Sequence, residues 1–422
     1  MNNVIVAENL DVGYEKKVVV EQVDVCGIKG QLICLLGPNG AGKTTILRTL
    51  AGLLAPVKGA VQINGDDIRD MKKADLAKKL AVVLTEQVSL GLLTVYEIAS
   101  MGRYPHTNFM GKLTQEDKEI VDKSLRAVNA VHLQDRYYSE LSDGEKQKIM
   151  IVRALVQQPE LIVLDEPTSH LDIKHKIEVI RILHKLCMEK GITVIVSLHD
   201  IDLAIKGCQT ILLIQNGKIA AQGTPEEIIK EGTIQKLYDI EGAQYNELLG
   251  SLEFTNSQNP EIFVTGGNGT GIGVYRAISR AGYGMYCGVL HENDIDFHVG
   301  KALNCNVIWE EAFNRINDIN YKMAQKQIES VDYVIDTGFP VGNINRLNVE
   351  LILNSVKIGK TVFALCDKDS MKNRYGELAP KIHCCSNIQE IINYISKNKY
   401  LKGMKTCNDG ISIINRGQSA SI

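Results

Sequence analysis

The chain has 422 residues, of which 45% are hydrophobic and 23% are charged, and its formal net charge at pH 7 is −3. This length exceeds what a single hydrophobic core normally supports, so we expect two or three globular domains. The charge balance gives no indication of nucleic-acid binding, and no apolar run approaches the roughly 18 residues needed to cross a bilayer, so any membrane role requires a partner.

The first informative feature is a glycine-rich loop that follows an apolar strand. Residues 31–50 read QLICLLGPNGAGKTTILRTL, which places a G-x-x-x-x-G-K-T motif between a strand pattern and a helical pattern. The glycines let backbone N–H groups turn inward around phosphates, Lys43 brings positive charge to the same oxygens, and Thr44 offers a hydroxyl to Mg²⁺. The motif therefore predicts binding of a nucleoside triphosphate with Mg²⁺. The predicted loop consists of Gly37, Pro38, Asn39, Gly40, Ala41, Gly42, Lys43, Thr44 and Thr45.

A pair of acidic residues after a second apolar strand is the expected partner of this loop. The stretch PELIVLDEPTSHLD at 159–172 predicts a buried strand that ends in Asp165 and Glu166. Asp165 is suited to hold Mg²⁺ through water, and Glu166 to polarise a water molecule for attack on the γ-phosphate. Alone, two such acids could equally cap the next helix, but their combination with the phosphate loop favours the catalytic interpretation.

Other segments resemble motifs of the ATPase subunits of ATP-binding cassette (ABC) transporters. LSDGEKQK at 141–148 is similar to the family signature LSGGQxQR, SHLD at 169–172 to its D-loop, and TVIVSLHD at 193–200 to the strand before its switch histidine. The resemblance covers residues 1 to about 250 and implies ATP as the nucleotide, in a P-loop core with a helical subdomain at about 88–155. It also implies roles for single residues: Tyr14 stacks on adenine, Gln87 senses Mg²⁺ and the membrane subunits, His199 contacts the γ-phosphate, Asp172 belongs to the D-loop, and Ser142 with Gly144 contacts the nucleotide of the opposite subunit.

The signature segment departs from the family pattern at two positions. Asp143 replaces a glycine and Glu145 replaces a glutamine, which adds negative charge near a triphosphate. We expect both acids to point aside, with Lys146 and Lys148 offsetting their charge.

Two longer stretches indicate a subfamily. LTVYEIASMGRYPHTNF at 93–109 and TSHLDIKHKIEV at 168–179 resemble segments of importers of iron–siderophore, haem and cobalamin complexes. This resemblance implies a head-to-tail dimer of the chain, two transmembrane permease subunits, an indirect substrate-binding protein, and a peripheral position on the cytoplasmic face of the membrane. Two alternatives stay open: a soluble ATP-driven switch, or a bifunctional protein with a second enzyme that acts on the imported cofactor.

A second domain is predicted after a linker at 251–260. Residues 261–400 alternate strand and helix patterns, which predicts a second, Rossmann-like α/β domain with a parallel sheet, and residues 401–422 are expected to be disordered. The domain opens with EIFVTGGNGTGIG, a glycine run that lacks a following Lys-Ser/Thr pair. Three interpretations stay open for this run: a tight turn without a ligand, a regulatory pocket for a nucleotide, phosphate ester or transported cofactor, or an enzyme site. The predicted strand ends carry Gly266, Gly267, Gly269, Gly271, His291, Glu292, Asp336 and Asp367.

Overall fold

The computed structural model describes residues 3–84, 91–107, 111–230, 232–246 and 248–399. The chain divides into two compact units, one that ends at Asp239 and one that begins at Ile240. Gln87 and the segment 401–422 lie outside the described residues. Among the residues that are described, no helix combines the length and the apolar character needed to span a membrane.

The described part of the first unit is built on a 10-stranded sheet. Its strands are β1 (Asn3–Tyr14), β2 (Lys17–Ile28), β3 (Leu32–Leu36), β4 (Lys58–Ile63), β5 (Asp66–Asp67), β6 (Leu80–Val83), β7 (Leu161–Leu164), β8 (Thr193–Leu198), β9 (Thr210–Gln215) and β10 (Lys218–Gly223). Their order is β5-β4-β1-β2-β10-β9-β3-β8-β7-β6. β3 pairs in parallel with β8 and β9 and is buried along its whole length, as expected for a central strand that is covered on both faces.

Helices cover this sheet and form the predicted helical region. They are α1 (Lys43–Leu50), α2 (Lys73–Lys79), α3 (Val95–Met101), α4 (Gln115–Ala127), α5 (Asp143–Val156), α6 (Ile173–Lys190), α7 (Ile201–Gly207), α8 (Pro225–Ile228) and α9 (Thr233–Tyr238). Short 3₁₀ turns occur at Tyr104–His106, Val131–Leu133 and Tyr138–Glu140. Helices α3, α4 and α5 each begin with a capping box. In this motif the side chain of the N-cap residue accepts a hydrogen bond from the backbone N–H of the third helical residue, whose side chain accepts one from the N-cap backbone N–H.

The second unit contains a hairpin and a parallel sheet among its described residues. Its strands are β11 (Ala243–Asn246), β12 (Ser251–Phe254), β13 (Pro260–Thr265), β14 (Gly284–His291), β15 (Asn306–Glu310), β16 (Tyr333–Asp336), β17 (Thr361–Leu365) and β18 (His383–Cys385). Its helices are α10 (Ile272–Arg280), α11 (Ile295–Ala302), α12 (Asp318–Ser330), α13 (Arg346–Lys357) and α14 (Lys368–Tyr375), followed by a 3₁₀ helix at Gly376–Lys381 and helical residues 388–399.

The strand order of the parallel sheet confirms the predicted Rossmann-like fold. The order is β15-β14-β13-β16-β17-β18, in which the chain starts at the centre, moves to one edge and then returns to the other side of β13. Apolar clusters cover both faces, one around Val264 and Ile278 and the other around Phe263 and Leu351. The segment 251–260, predicted as a linker, contains β12 and the first residue of β13.

Candidate functional site

The phosphate loop lies between β3 and α1, and its lysine points into the loop. The Lys43 ammonium donates hydrogen bonds to the carbonyl oxygens of Gly37 at 2.8 Å and Pro38 at 3.0 Å. Lys43 is 5% exposed, and burial lowers its pKa, against the opposing effect of the Glu166 and Asp165 carboxylates. Gly42 has a φ of 102° at the start of α1, a conformation that favours glycine. The loop therefore holds a cation at its centre.

The predicted magnesium-binding pair is brought together at the ends of neighbouring elements. Asp165 follows β7, and its Oδ1 atom accepts hydrogen bonds from the hydroxyls of Thr44 at 3.2 Å and Ser197 at 2.8 Å. Hydroxyl and carboxylate oxygens are hard ligands of the kind that Mg²⁺ prefers, so these side chains fit the ion that the sequence predicts. Only 6% of Asp165 is exposed, which sets this carboxylate apart from surface acids.

Glu166 and His199, which are predicted to act in catalysis together with Gln87, are in direct contact. The Nε2 atom of His199 lies 2.5 Å from Oε1 of Glu166, and the hydroxyl of Ser169 donates to Oε2 of Glu166 at 3.1 Å. The backbone N–H of Glu166 donates to Ser197 Oγ at 2.8 Å, and Glu166 has a φ of 47°. The carboxylate is thus held from both oxygens at the end of the central sheet.

The signature segment differs from the expectation at Glu145 and at Lys148. Instead of pointing aside, Glu145 folds back on Ser142, whose N–H and hydroxyl both lie 2.9 Å from its Oε2 atom. The hydrogen bond from the Ser142 backbone N–H is the main cause of the lowered pKa of Glu145. Lys146 pairs with Asp143 at 3.6 Å as expected, whereas Lys148 pairs with Glu178 at 2.6 Å. The extra acid therefore acts as the second half of the α5 capping box.

His175 lies between the D-loop and the signature helix. Asp172 caps α6 and accepts hydrogen bonds from the backbone N–H and the ring Nδ1 of His175, at 2.9 and 2.8 Å. A Cβ atom on Gly144 would lie 2.4 Å from that ring, so the site requires glycine. Tyr14, the predicted adenine-stacking residue, lies at the end of β1 and is 48% exposed.

Comparison with known proteins agrees with this arrangement. A family model described as ABC transporter matches residues 20–169, and a model described as MJ0874 family matches residues 285–392. The chain is 47% identical over 285 residues to an ABC transporter ATP-binding protein of Methanocaldococcus jannaschii, across 67% of this chain and 98% of that protein. The chain belongs to the ABC transporter ATP-binding family. This membership confirms the predicted ATPase and its nucleotide-binding fold.

Two further relatives of this ABC ATPase differ in how far they match. The ferric enterobactin transport ATP-binding protein FepC of Escherichia coli is 36% identical over 233 residues, across 55% of this chain and 86% of that protein. The cobalamin import ATP-binding protein BtuD of Halobacterium salinarum is 29% identical over 317 residues, across 73% of this chain and 79% of that protein. The second match is too long to fit within the first unit.

Sequence patterns missed three residues of the ABC ATPase site. Ser197 binds both Asp165 and the Glu166 backbone, Ser169 binds the Glu166 carboxylate, and His175 joins the D-loop to the signature helix. The one available signal was the position of Ser197, a polar residue within the otherwise apolar run TVIVSL.

The glycine run of the second unit is filled by a carboxylate from the same chain. Asp296, which is fully buried at the start of α11, accepts hydrogen bonds from the backbone N–H groups of Gly267 at 2.7 Å, Gly271 at 2.9 Å and Ile272 at 3.1 Å. Burial raises the pKa of Asp296, and these N–H groups act in the opposite direction. Asp294 accepts from the N–H of Asn268 at 2.6 Å. The two carboxylates therefore already accept the hydrogen bonds of the backbone N–H groups that a phosphate would need.

Other polar residues at the same end of the sheet also have internal partners. Asp336 accepts hydrogen bonds from Arg374 Nε at 2.7 Å and from the Tyr375 hydroxyl at 2.6 Å. The Nε2 atom of His291 lies 2.9 Å from the carbonyl oxygen of Asn314, and Asp367 caps α14. These contacts favour the interpretation of the second glycine run as a structural turn.

Proposed function

We propose that the chain is the ATP-hydrolysing subunit of an importer of metal chelates, the class that includes iron–siderophore, haem and cobalamin complexes. The contact between Glu166 and His199, next in the chain to the Asp165 carboxylate that binds the Thr44 hydroxyl, is the observation that supports hydrolysis most directly. In this proposal Tyr14 stacks on adenine, residues 37–45 hold the phosphates, and Gln87 reports the nucleotide state to the permeases.

The proposed mechanism assigns each step to residues of the chain. When ATP binds, the Lys43 ammonium exchanges its hydrogen bonds to the loop carbonyls for bonds to the phosphate oxygens. This movement is short because the ammonium already lies inside the loop. Glu166 polarises the attacking water, and His199 contacts the γ-phosphate and restrains the Glu166 carboxylate. Thr44 and Asp165 would hold Mg²⁺, with Gln87 as its sensor, and the bound ion would neutralise charge on the phosphates.

The assembly we propose is a head-to-tail dimer on two permease subunits. Ser142 and Gly144 of one chain, supported by Asp172, face the nucleotide of the other, so each site is complete only in the dimer. The chain then lies peripherally on the cytoplasmic face of the membrane, and a substrate-binding protein acts through the permeases.

Within this class, cobalamin is the cargo that the comparisons favour. The match to the cobalamin import protein covers about 308 residues of this chain, more than the 239 residues of the first unit, so it extends into the second. The match to the ferric enterobactin protein is short enough to lie within the first unit alone. The second unit is then an accessory α/β domain that the cobalamin import protein shares with this chain, as does the Methanocaldococcus jannaschii relative, whose match of 285 residues also exceeds the first unit.

Replacement of Glu166 by Gln tests the hydrolytic role. ATP binding should persist while the rate falls about 100-fold or more, because the general base is lost, and an ATP-bound dimer should accumulate in sedimentation. Glu160→Gln, at the other end of the same strand, is the matched control and should hydrolyse ATP normally. Rapid turnover by the Glu166 variant would refute the assignment.

Reconstitution tests the transport role and the cargo. The ATPase rate of the complex with its permeases should rise when cobalamin, rather than a ferric siderophore or haem, is presented with the cognate binding protein. Failure to co-purify with any permease would instead favour a soluble ATP-driven switch.

A further inference from the structure

Ser197 lies where the strands of the ATPase site converge. It is the next-to-last residue of β8, which runs between β3 and β7, and it is fully buried. Leu35 of β3 is its register partner, and the preceding Val196 pairs with Leu164 of β7. Ser197 therefore lies between the strand that leads into the phosphate loop and the strand that leads into the two acids.

The Ser197 hydroxyl joins these two acids. It donates its proton to Oδ1 of Asp165 at 2.8 Å and accepts the backbone N–H of Glu166 at 2.8 Å. A serine hydroxyl carries a single proton, so the bond to Asp165 uses its only donor and fixes its orientation.

The bond to Glu166 restrains an unusual backbone. Glu166 adopts a φ of 47°, in the left-handed region that side chains other than glycine rarely occupy. This turn directs the carboxylate towards His199 and Ser169. A fixed acceptor for the Glu166 N–H is therefore a direct means of holding the carboxylate in place.

We propose that Ser197 is a positioning residue that couples metal binding at Asp165 to the alignment of Glu166. The inference rests on the proposed roles of these two acids in ATP hydrolysis. Through one hydroxyl, the residue orients the carboxylate that holds Mg²⁺ and the backbone of the residue that polarises water. A merely structural serine would fill the same space without this coupling.

The test compares two replacements of equal shape in the full-length chain. Threonine at position 197 keeps a hydroxyl, and valine replaces it by a methyl group of nearly the same size. Steady-state ATPase rates are measured against Mg²⁺ concentration at saturating ATP, and metal-free nucleotide affinity is measured with a fluorescent ATP analogue in EDTA.

We expect Ser197→Val to lower kcat and to raise the Mg²⁺ concentration for half-maximal rate, each by about 10- to 100-fold, as is usual for residues that orient metal ligands. Metal-free affinity should not change, and Ser197→Thr should recover most of the activity. Equal kcat and equal Mg²⁺ dependence for the two variants would overturn the proposal. An equal fall of kcat in the two variants would also overturn it. So would a loss of metal-free nucleotide binding by the valine variant alone. Each of these two outcomes would indicate that the substitution damages packing.

The Glu166→Gln variant separates the two levels of the argument. If that variant turns over normally, the proposed hydrolytic site is wrong, and the inference about Ser197 falls with it. If that variant is inactive while the valine and threonine variants behave alike, only the role of Ser197 is wrong.

Discussion

The two glycine-rich loops of this chain have similar compositions and opposite charges at their centres. The loop after β3 encloses the Lys43 ammonium, which donates to its carbonyl groups. The loop after β13 encloses the Asp296 carboxylate, which accepts from its N–H groups. The first loop attracts a phosphate, whereas the second is already neutralised by an internal anion.

Individual positions in the two loops require glycine for different physical reasons. Gly40 has a φ of 78° with open space beside it, so its backbone conformation is what requires glycine. Gly266 and Gly271 have ordinary φ values, but a Cβ atom on either would lie 2.5 Å from the Tyr275 side chain. Both loops also contain the other kind of glycine, since Gly269 has a φ of 78° and a Cβ atom on Gly37 would lie 2.3 Å from the carbonyl oxygen of Ile214. What is particular to the second loop is the buried Tyr275 ring against which Gly266 and Gly271 pack.

Removal of the cation from the first loop should have the largest effect. We expect Lys43→Ala to weaken ATP binding by about 100-fold, equivalent to about 3 kcal/mol, because a desolvated charged contact to phosphate is lost. Asn268→Gly in the second loop is the matched control, since residue 268 is exposed with a φ of 57° that glycine tolerates. Its ATP affinity, measured by calorimetry, should equal that of the unmodified chain. A comparable loss in the control would show that the second loop also serves ATP.

Removal of the anion from the second loop should lower stability instead of nucleotide affinity. Asp296→Ala leaves buried backbone N–H groups without their acceptor, and we expect a loss of about 3 kcal/mol in the free energy of unfolding. The chain has one tryptophan, Trp309 in β15, so urea unfolding followed by its fluorescence reports on this unit.

Two additions sharpen that experiment. Asp296→Asn keeps an acceptor oxygen and should lose less stability. Inorganic phosphate should not raise the unfolding midpoint of the unmodified chain, because the carboxylate fills the loop. An unchanged midpoint in the alanine variant would contradict the role given to Asp296.

Local patterns predicted the elements well, because strand and helix periodicities depend on neighbouring residues. Within the alternating pattern of the second domain, residues 272–281 predict a helix, which is observed at Ile272–Arg280, and residues 285–290 predict a strand, which is observed at Gly284–His291. The pattern at 345–353 also predicts a helix, which continues to Lys357 because Val356, four residues after Ile352, extends its buried face.

The hydrogen bonds that distinguish the two loops depend on which strands are neighbours in each sheet, and a single sequence does not reveal this strand order. Asp296 reaches Gly271 from 25 residues away because β13 and β14 are neighbours in the sheet. Ser197 reaches Asp165 because β8 lies beside β7. Motif recognition identified the ATPase loop and its acids, but not the internal carboxylate that distinguishes the second loop.

The smallest effect we predict concerns the ring beneath the second loop. The Tyr275 hydroxyl is buried and has no oxygen or nitrogen partner among the described residues, and Gly266 leaves room for it. Gly266→Ala should cost about 1–3 kcal/mol through overpacking, and Tyr275→Phe should recover most of this loss in the double variant by removing the obstructing oxygen. Tyr275→Phe alone should change stability little, because no oxygen or nitrogen partner is left unpaired. Urea unfolding of the four chains gives the coupling free energy. Strictly additive losses would mean that the Tyr275 oxygen is not the obstruction, and that Asp296 Oδ2, 3.0 Å from the same Cβ position, is the atom that requires glycine at position 266.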